Sequence, residues 1–180
     1  MGLRLKGVAM KTGDILRRLY KYDRETFYHS VRVGGLCRKL ASVLGWAPEM
    51  IKKLVYAALL HDIGKLEVSQ EVLSSPNPLD DFGFGEILAH PLAGSLMVRP
   101  LLGDVVANLV LTHHEPGYPR KAVRGVEEEA ELRNLLRLTD KLDALSSPRG
   151  YKEAFSKEKC RGILLEEGFD RVLVDLTLSL

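Results

Sequence analysis

Cysteine is scarce in this chain of 180 residues: Cys37 and Cys160 are the only two, and they form no Cys-x-x-Cys pair. That disfavours a disulfide-stapled scaffold and a closed cysteine zinc site, and leaves two reduced thiols in a cytoplasmic protein as the expectation. Cys37 itself falls among Val33, Leu36 and Leu40 on one apolar helical face. An excess of charge is also missing, because 26 Lys and Arg face 24 Asp and Glu, a net charge of +2. So small a basic surplus gives no electrostatic footprint for nucleic acid, and no stable nucleic-acid binding is expected. Nor is there a long apolar run. The longest uninterrupted one, residues 54–60, is far below the ~20 residues that span a bilayer, and the amino terminus has no apolar core of an export signal. No membrane association is therefore expected. Internal repeats, low-complexity tracts and a heptad seam are absent too. Without such a seam a homodimer stays an open alternative, with nothing in the pattern to specify it.

What is present is the balance of an ordinary globular domain, 46% hydrophobic and 28% charged. A chain of this size buries roughly 70% of its unfolded surface, enough for a core without staples, and one domain over residues 1–180 is the natural count. Apolar residues recur at helical spacing over about 24–44, stopping at Gly45, and again from Pro48 to the breaker Gly64. Further helices are expected at about 86–98, 100–113, 127–145 and 156–167, the last stopped by Gly168. Loops fall where Gly, Pro, Asn and Ser cluster, at 74–78, 116–120 and 146–150. Residues 169–180 are ambiguous. Val174, Leu176 and Leu178 alternate with polar residues as in a strand, yet a lone strand among helices has no partner. The expected fold class is all-α, a compact helical bundle.

The chemistry-bearing residues sit where apolar segments end. His61 and Asp62 close the helix in LLHDIGK, His29 lies on the helix before it, His90 precedes Pro91, and His113-His114-Glu115 ends a later helix. Glu25 stands one turn before His29 on the same face, and Asp140 lies on the helix after the double histidine. Imidazole and carboxylate are ligands for divalent ions, and facing helices that project them inward build multinuclear sites in bundles. Taken singly, each has a plainer explanation. His29 or His90 alone is more often a packed structural residue, Glu25 a solvated charge, and Asp140 and Asp143 mid-helix surface groups. Their joint arrangement shifts the balance, because ionisable groups near a core are expensive unless paired or coordinated.

In order along the chain stand His29, the HDIGK of residues 61–65, His90-Pro91, and His113-His114-Glu115 with Gly117-Tyr118-Pro119. Asp140-Lys141-Leu142-Asp143-Ala144-Leu145 and Arg149-Gly150-Tyr151 follow. This ordered set resembles the HD superfamily of metal-dependent phosphohydrolases, and within it the HD-GYP branch. The resemblance runs from about residue 24 to 174, with the motif-bearing core at about 24–152. It implies that His29, His61, Asp62, His90, His113, His114 and Asp140 are metal ligands, that Asp62 bridges two ions, and that Glu25 helps hold a third in some members. It further implies that Lys65 contacts substrate phosphate, so that Asp62 and Lys65 are the catalytic pair, and that Tyr118 and Arg149 bind substrate. The plainer roles are a helix-end cation for Lys65 and a loop tie for Arg149 or Tyr151. The chain departs from the family between Glu115 and Gly117, where Pro116 alone replaces a longer loop. That change bears on substrate choice, not on the metal cage.

A donor set of nitrogen and oxygen alone suits two, or with Glu25 three, divalent transition-metal ions, with iron or manganese expected. The reaction expected from such a site is phosphoester hydrolysis by a metal-activated water. Through the resemblance the leading substrate is a cyclic dinucleotide such as cyclic di-GMP. Two alternatives stand beside it: an HD-type phosphohydrolase acting on a nucleoside monophosphate, triphosphate or short oligonucleotide, and a noncatalytic regulatory module that binds a nucleotide or a partner protein.

Overall fold

Polar caps and apolar stripes divide the chain into helices joined by short turns. The computed structural model describes residues 11–114, 128–148 and 153–180, and among them every regular element is helical. Helix α1 (Thr12–Tyr22) buries Ile15 and Leu19 one turn apart. Asp23 then starts α2 (Arg24–Val43), its side chain accepting from the amides of Glu25 at 2.9 Å and Thr26 at 3.2 Å. Pro48 opens α3 (Pro48–Leu60), where its missing N–H costs nothing. A short 3₁₀ helix (Ile63–Glu67) follows, then α4 (Gln70–Leu73) and α5 (Asp81–Leu88), the latter capped by Asp80. The long α6 (His90–Thr112) crosses the molecule, and α7 (Glu128–Ser146), α8 (Lys157–Glu166) and α9 (Arg171–Ser179) complete the bundle.

Helices α2 and α3 pack as a hairpin, α7 lies against both, and α6 seats itself on α3, α7 and the 3₁₀ turn. The core they share includes Leu19, Leu40, Leu54, Leu60, Leu109 and Leu136, each fully buried. Burying one such side chain contributes ~1.5–3 kcal/mol, so most of the stability of these helices comes from packing and not from propensity. Both cysteines are free and buried within it.

Four features go beyond the sequence reading or differ from it. Helix α1 carries no strong sequence signal and was not anticipated; it exists because Ile15 and Leu19 reach the core. The break expected between 98 and 100 falls elsewhere. The regular helix is interrupted at Ala89, between α5 and α6, where the backbone keeps φ and ψ in the helical region, while α6 passes through Pro100 and kinks at Gly103, whose φ of 79° and ψ of −178° suit glycine alone. The strand-like tail is a helix, because the Asp170 side chain accepts from the Leu173 amide at 3.0 Å and caps α9, burying Val174 and Thr177 one turn apart. Finally, residues 81–112 are long and apolar enough by length and composition to cross a membrane, which counting uninterrupted runs overlooked. In this fold that stretch contains the Gly103 kink and 44% of its most apolar window is buried against the rest of the protein.

Candidate metal centre

Helix ends bring the donors together. His61 caps α3 and Asp62 follows it, His90 is the first residue of α6, His113 and His114 follow its last turn, and His29 and Asp140 project from the middle of α2 and α7. His29, His61, Asp62, His90 and His113 are all buried. The Asp62 carboxylate sits at the middle of the group with its two oxygens turned opposite ways. Oδ2 lies 3.3 Å from His61 Nε2 and 3.8 Å from His29 Nε2, while Oδ1 lies 3.1 Å from His90 Nε2 and 4.0 Å from His113 Nε2. Asp140 Oδ1 approaches His29 Nε2 at 2.9 Å and His61 Nε2 at 3.6 Å. His114 lies against His113, the rings tilted by 43° with centroids 3.9 Å apart, and meets His90 edge-on at 5.3 Å. The donors therefore form two lobes, His29 with His61 and Asp140, and His90 with His113 and His114, joined through Asp62.

The outer nitrogens reveal what the inner ones are for. Nδ1 of His61, His90 and His113 lies 2.8, 2.6 and 2.6 Å from the carbonyls of Ala58, Ile87 and Val110, in each case three residues earlier. Nδ1 of His29 lies 2.7 Å from Asp143 Oδ2. Carbonyl and carboxylate oxygens only accept, so each Nδ1 carries a proton and each ring turns its Nε2 inward, the atom left for an ion or, in its absence, a second proton. Those nitrogens meet one another at 3.2 Å between His61 and His29 and at 3.3 Å between His90 and His113, with carboxylates between them. Carboxylates crowded this closely in a buried site need positive charge among them, from protons on the imidazoles or from bound cations. Divalent ions satisfy this donor set, and the outer hydrogen bonds are those that orient metal-binding imidazoles.

The electrostatics of the metal-free protein point the same way. Burial opposes ionisation of Asp62, yet the Lys65 ammonium and His61 hold its carboxyl well below the usual range. Burial likewise opposes a charge on His61, but the adjoining Asp62 and Asp140 carboxylates raise it to about 9. Burial and the neighbouring histidines depress His113, and His114 is lowered to about 4, chiefly by burial. Neighbouring imidazoles pushed in opposite directions mark a cluster that takes on some positive charge and resists more.

Lys65, on the 3₁₀ turn, donates to Asp62 Oδ2 at 2.8 Å. It also lines a cavity of about 210 Å³ together with Asp23, Glu25, Thr26, His29, Val72, Leu73 and Ile87. The cavity thus meets the cluster at His29. Glu25 is exposed on this rim and none of the three close-packed donor groups includes it. Tyr118 and Arg149, with Glu115 and Tyr151, lie outside the described residues.

Two residues escaped the sequence reading. Asp143 is not a surface group but is buried, accepting from His29 and, bidentately, from Arg32: Nε to Oδ1 at 2.7 Å and Nη2 to Oδ2 at 2.9 Å. Burial raises the Asp143 carboxyl, but these donors outweigh it and hold it at about 2. The available signal was spacing: Arg32 stands three residues after His29, and Asp143 three after Asp140, so each shares a helical face with a proposed ligand.

Comparison with known proteins agrees with this geometry. Residues 26–147 match the HD domain family. A cyclic di-GMP phosphodiesterase of Pseudomonas aeruginosa is 33% identical over 147 residues, covering 78% of this chain and 35% of that protein. A 3'3'-cGAMP-specific phosphodiesterase of Vibrio cholerae is 33% identical over 147 residues, covering 79% and 34%. A cyclic di-GMP phosphodiesterase of Thermotoga maritima is 34% identical over 150 residues, covering 77% and 39%. The chain thus spans little more than a third of the length of these relatives. Among solved structures, the HD domain of the L. monocytogenes phosphodiesterase PgpH superposes with a TM-score of 0.63 at 16% identity, covering 91% of this chain and 94% of that one. A Bdellovibrio bacteriovorus protein described as HDG"Y"P gives 0.66 at 20%, covering 86% and 51%. Both share the fold. The chain belongs to the HD domain family, whose divalent-metal binding suits its clustered imidazoles and carboxylates.

Proposed function

We propose that the chain is a metal-dependent phosphodiesterase acting on a cyclic dinucleotide. One observation carries this reading: four imidazoles, each with its outer N–H held by an acceptor, converge their Nε2 atoms on Asp62 and Asp140. His29, His61 and Asp140 would hold one ion, His90, His113 and His114 a second, and Asp62 would bridge them, with Glu25 available for a third. Oxygen and nitrogen donors without sulfur favour iron or manganese. Ions bound there supply Lewis acidity, activating a water and neutralising charge on the phosphodiester.

The chain's own residues do the rest. Lys65, on the rim beside Asp62, would place its ammonium against a nonbridging phosphate oxygen, where negative charge grows as the leaving oxygen departs. Val72, Leu73 and Ile87 offer an apolar wall to the sugar or base attached to that phosphate. Asp143 and Arg32 hold His29 in one tautomer and one orientation. Tyr118 and Arg149 are proposed as further substrate contacts. That several relatives are named as cyclic di-GMP or cGAMP phosphodiesterases supports the substrate class. The one-residue link between Glu115 and Gly117 favours, as a second reading, a smaller nucleotide substrate. A cytoplasmic location belongs to the same proposal, since both cysteines are free thiols.

The test starts with protein purified without chelator. About two or more transition-metal equivalents per chain are expected, and His61→Ala and Asp62→Ala are expected to lose both metal and hydrolysis of an aryl phosphodiester. Cyclic di-GMP, 3'3'-cGAMP, nucleoside monophosphates and triphosphates are then assayed anaerobically with iron and with manganese. Absence of turnover of either cyclic dinucleotide would remove the leading substrate. Tight nucleotide binding by metal-free protein would favour a regulatory module.

A further inference from the structure

The outer face of the α5–α6 run is apolar and has no partner among the described residues. Phe84, Leu88, Leu92 and Leu96 recur every four residues and are 55%, 40%, 56% and 64% exposed. Ala89, between the two helices, keeps helical φ and ψ of −81° and −16°, so these side chains form one ridge across the junction. Beside it runs a parallel row of small residues, Gly85, Ala89 and Ala93, which makes a shallow groove. Apart from His90, which faces the metal cluster, the only ionisable residue over 82–98 is Glu86, and its carboxylate accepts from the Ser69 amide at 2.8 Å.

A ridge with four-residue spacing next to a groove of the same spacing is complementary to itself. Ridges of this class fit the matching grooves of another helix at a crossing of about −50°. A two-fold axis between the rows sets each copy's leucines over the other's Gly and Ala, and it needs no charged group to specify a different partner. On their fractional exposures the four large side chains offer about 400 Å², and with the small residues between them two copies remove about 1,000 Å², the lower bound for a specific interface. An area of that size gives a reversible association.

We propose that this face pairs with the same face of a second copy of the chain, forming a two-fold dimer through α5 and α6. The inference is independent of the catalytic reading, since it uses none of the metal-facing side chains.

Sedimentation equilibrium of the full chain tests it between about 1 and 200 µM, the range where a weak interface titrates. The average mass is expected to rise with concentration from 20.1 kDa toward twice that value. Leu92→Glu, at an exposed position, is expected to weaken association at least tenfold while metal content per chain stays unchanged. As a second reading, Ala89→Cys near the axis is expected to give a disulfide-linked dimer on oxidation, because the native Cys37 and Cys160 are buried and do not compete. A chain that stays at 20.1 kDa throughout and does not cross-link through Ala89→Cys overturns the proposal. So does a dimer whose affinity is indifferent to Leu92→Glu, which would lie elsewhere. Flotation of the monomeric chain with phospholipid vesicles, lost in Leu92→Glu, would assign the face to a membrane and overturn it equally.

Discussion

Arg32 and Asp143 show how far the orientation of His29, a proposed metal ligand, depends on residues that would not touch the ion. Asp143 fixes the proton of His29 on Nδ1, and the Arg32 guanidinium keeps Asp143 ionised and immobile by gripping both its oxygens. Removing Asp143 frees His29 to rotate and to swap tautomers, leaving Arg32 with a lost partner at the rim. Losses of this kind cost roughly 10–100-fold in metal affinity. Asp143→Ala is therefore expected to weaken manganese binding by about that factor in isothermal titration, with helix content by circular dichroism unchanged. Arg32→Ala should give a smaller loss, and Arg32→Lys should recover it only partly, since an ammonium does not reproduce the bidentate grip. Wild-type affinity in Asp143→Ala would show that His29 is oriented by other contacts.

Among the elements, the junction of the 3₁₀ turn with α6 sets the position of His90, and glycine makes it. A Cβ on Gly64 would lie 1.9 Å from the His90 carbonyl oxygen and 2.6 Å from the Gly94 amide nitrogen, both backbone atoms that cannot swing aside. Gly64→Ala is expected to lower unfolding free energy by about 3 kcal/mol or more in urea denaturation and to reduce metal content, because the shift carries His90 with it. Gly162, in α8, meets nothing within 4 Å of such a Cβ. Gly162→Ala should instead gain up to about 1 kcal/mol from helix propensity. Equal effects at the two positions would refute the steric account. The elements most legible in the sequence were those with both a periodic apolar face and an end signal, such as α2, stopped at Gly45, and α3, opened by Pro48. Helix α9 was obscured because its buried pair, Val174 and Thr177, includes a polar residue, so the alternation of Val174, Leu176 and Leu178 stood out instead. The α6 kink was misplaced because Pro100 is the louder signal, while the backbone departs from helix at Gly103.

At the scale of the whole molecule, the proposed metal cluster would also be a stability device. Ions bound only by the folded chain would shift the unfolding equilibrium. At a free metal concentration about 100 times the dissociation constant, that shift is about 2.7 kcal/mol. For a chain of this length it corresponds to a rise of roughly 5–10 °C in Tm. Stripping the protein with chelator and adding back manganese should lower and then restore Tm by that amount in scanning calorimetry. An unchanged Tm would mean that the cluster closes on protons instead of metal.

The donor types, their order and, for His61, Asp62, His90, His113 and His114, their placement at helix ends were readable from the sequence, because HDIGK, His-Pro and His-His are local patterns that a helix end exposes. The sequence also determined that the domain is helical, since apolar periodicity and caps act over one or two turns. Which donors share a lobe, that Glu25 stays on the rim, that Asp143 turns inward to Arg32 and His29, and that Phe84, Leu88, Leu92 and Leu96 stay uncovered were decided by the tertiary structure alone. Each of these depends on how helices separated by up to 114 residues cross, and crossing is set by the packing of the whole core, which no local window of sequence contains.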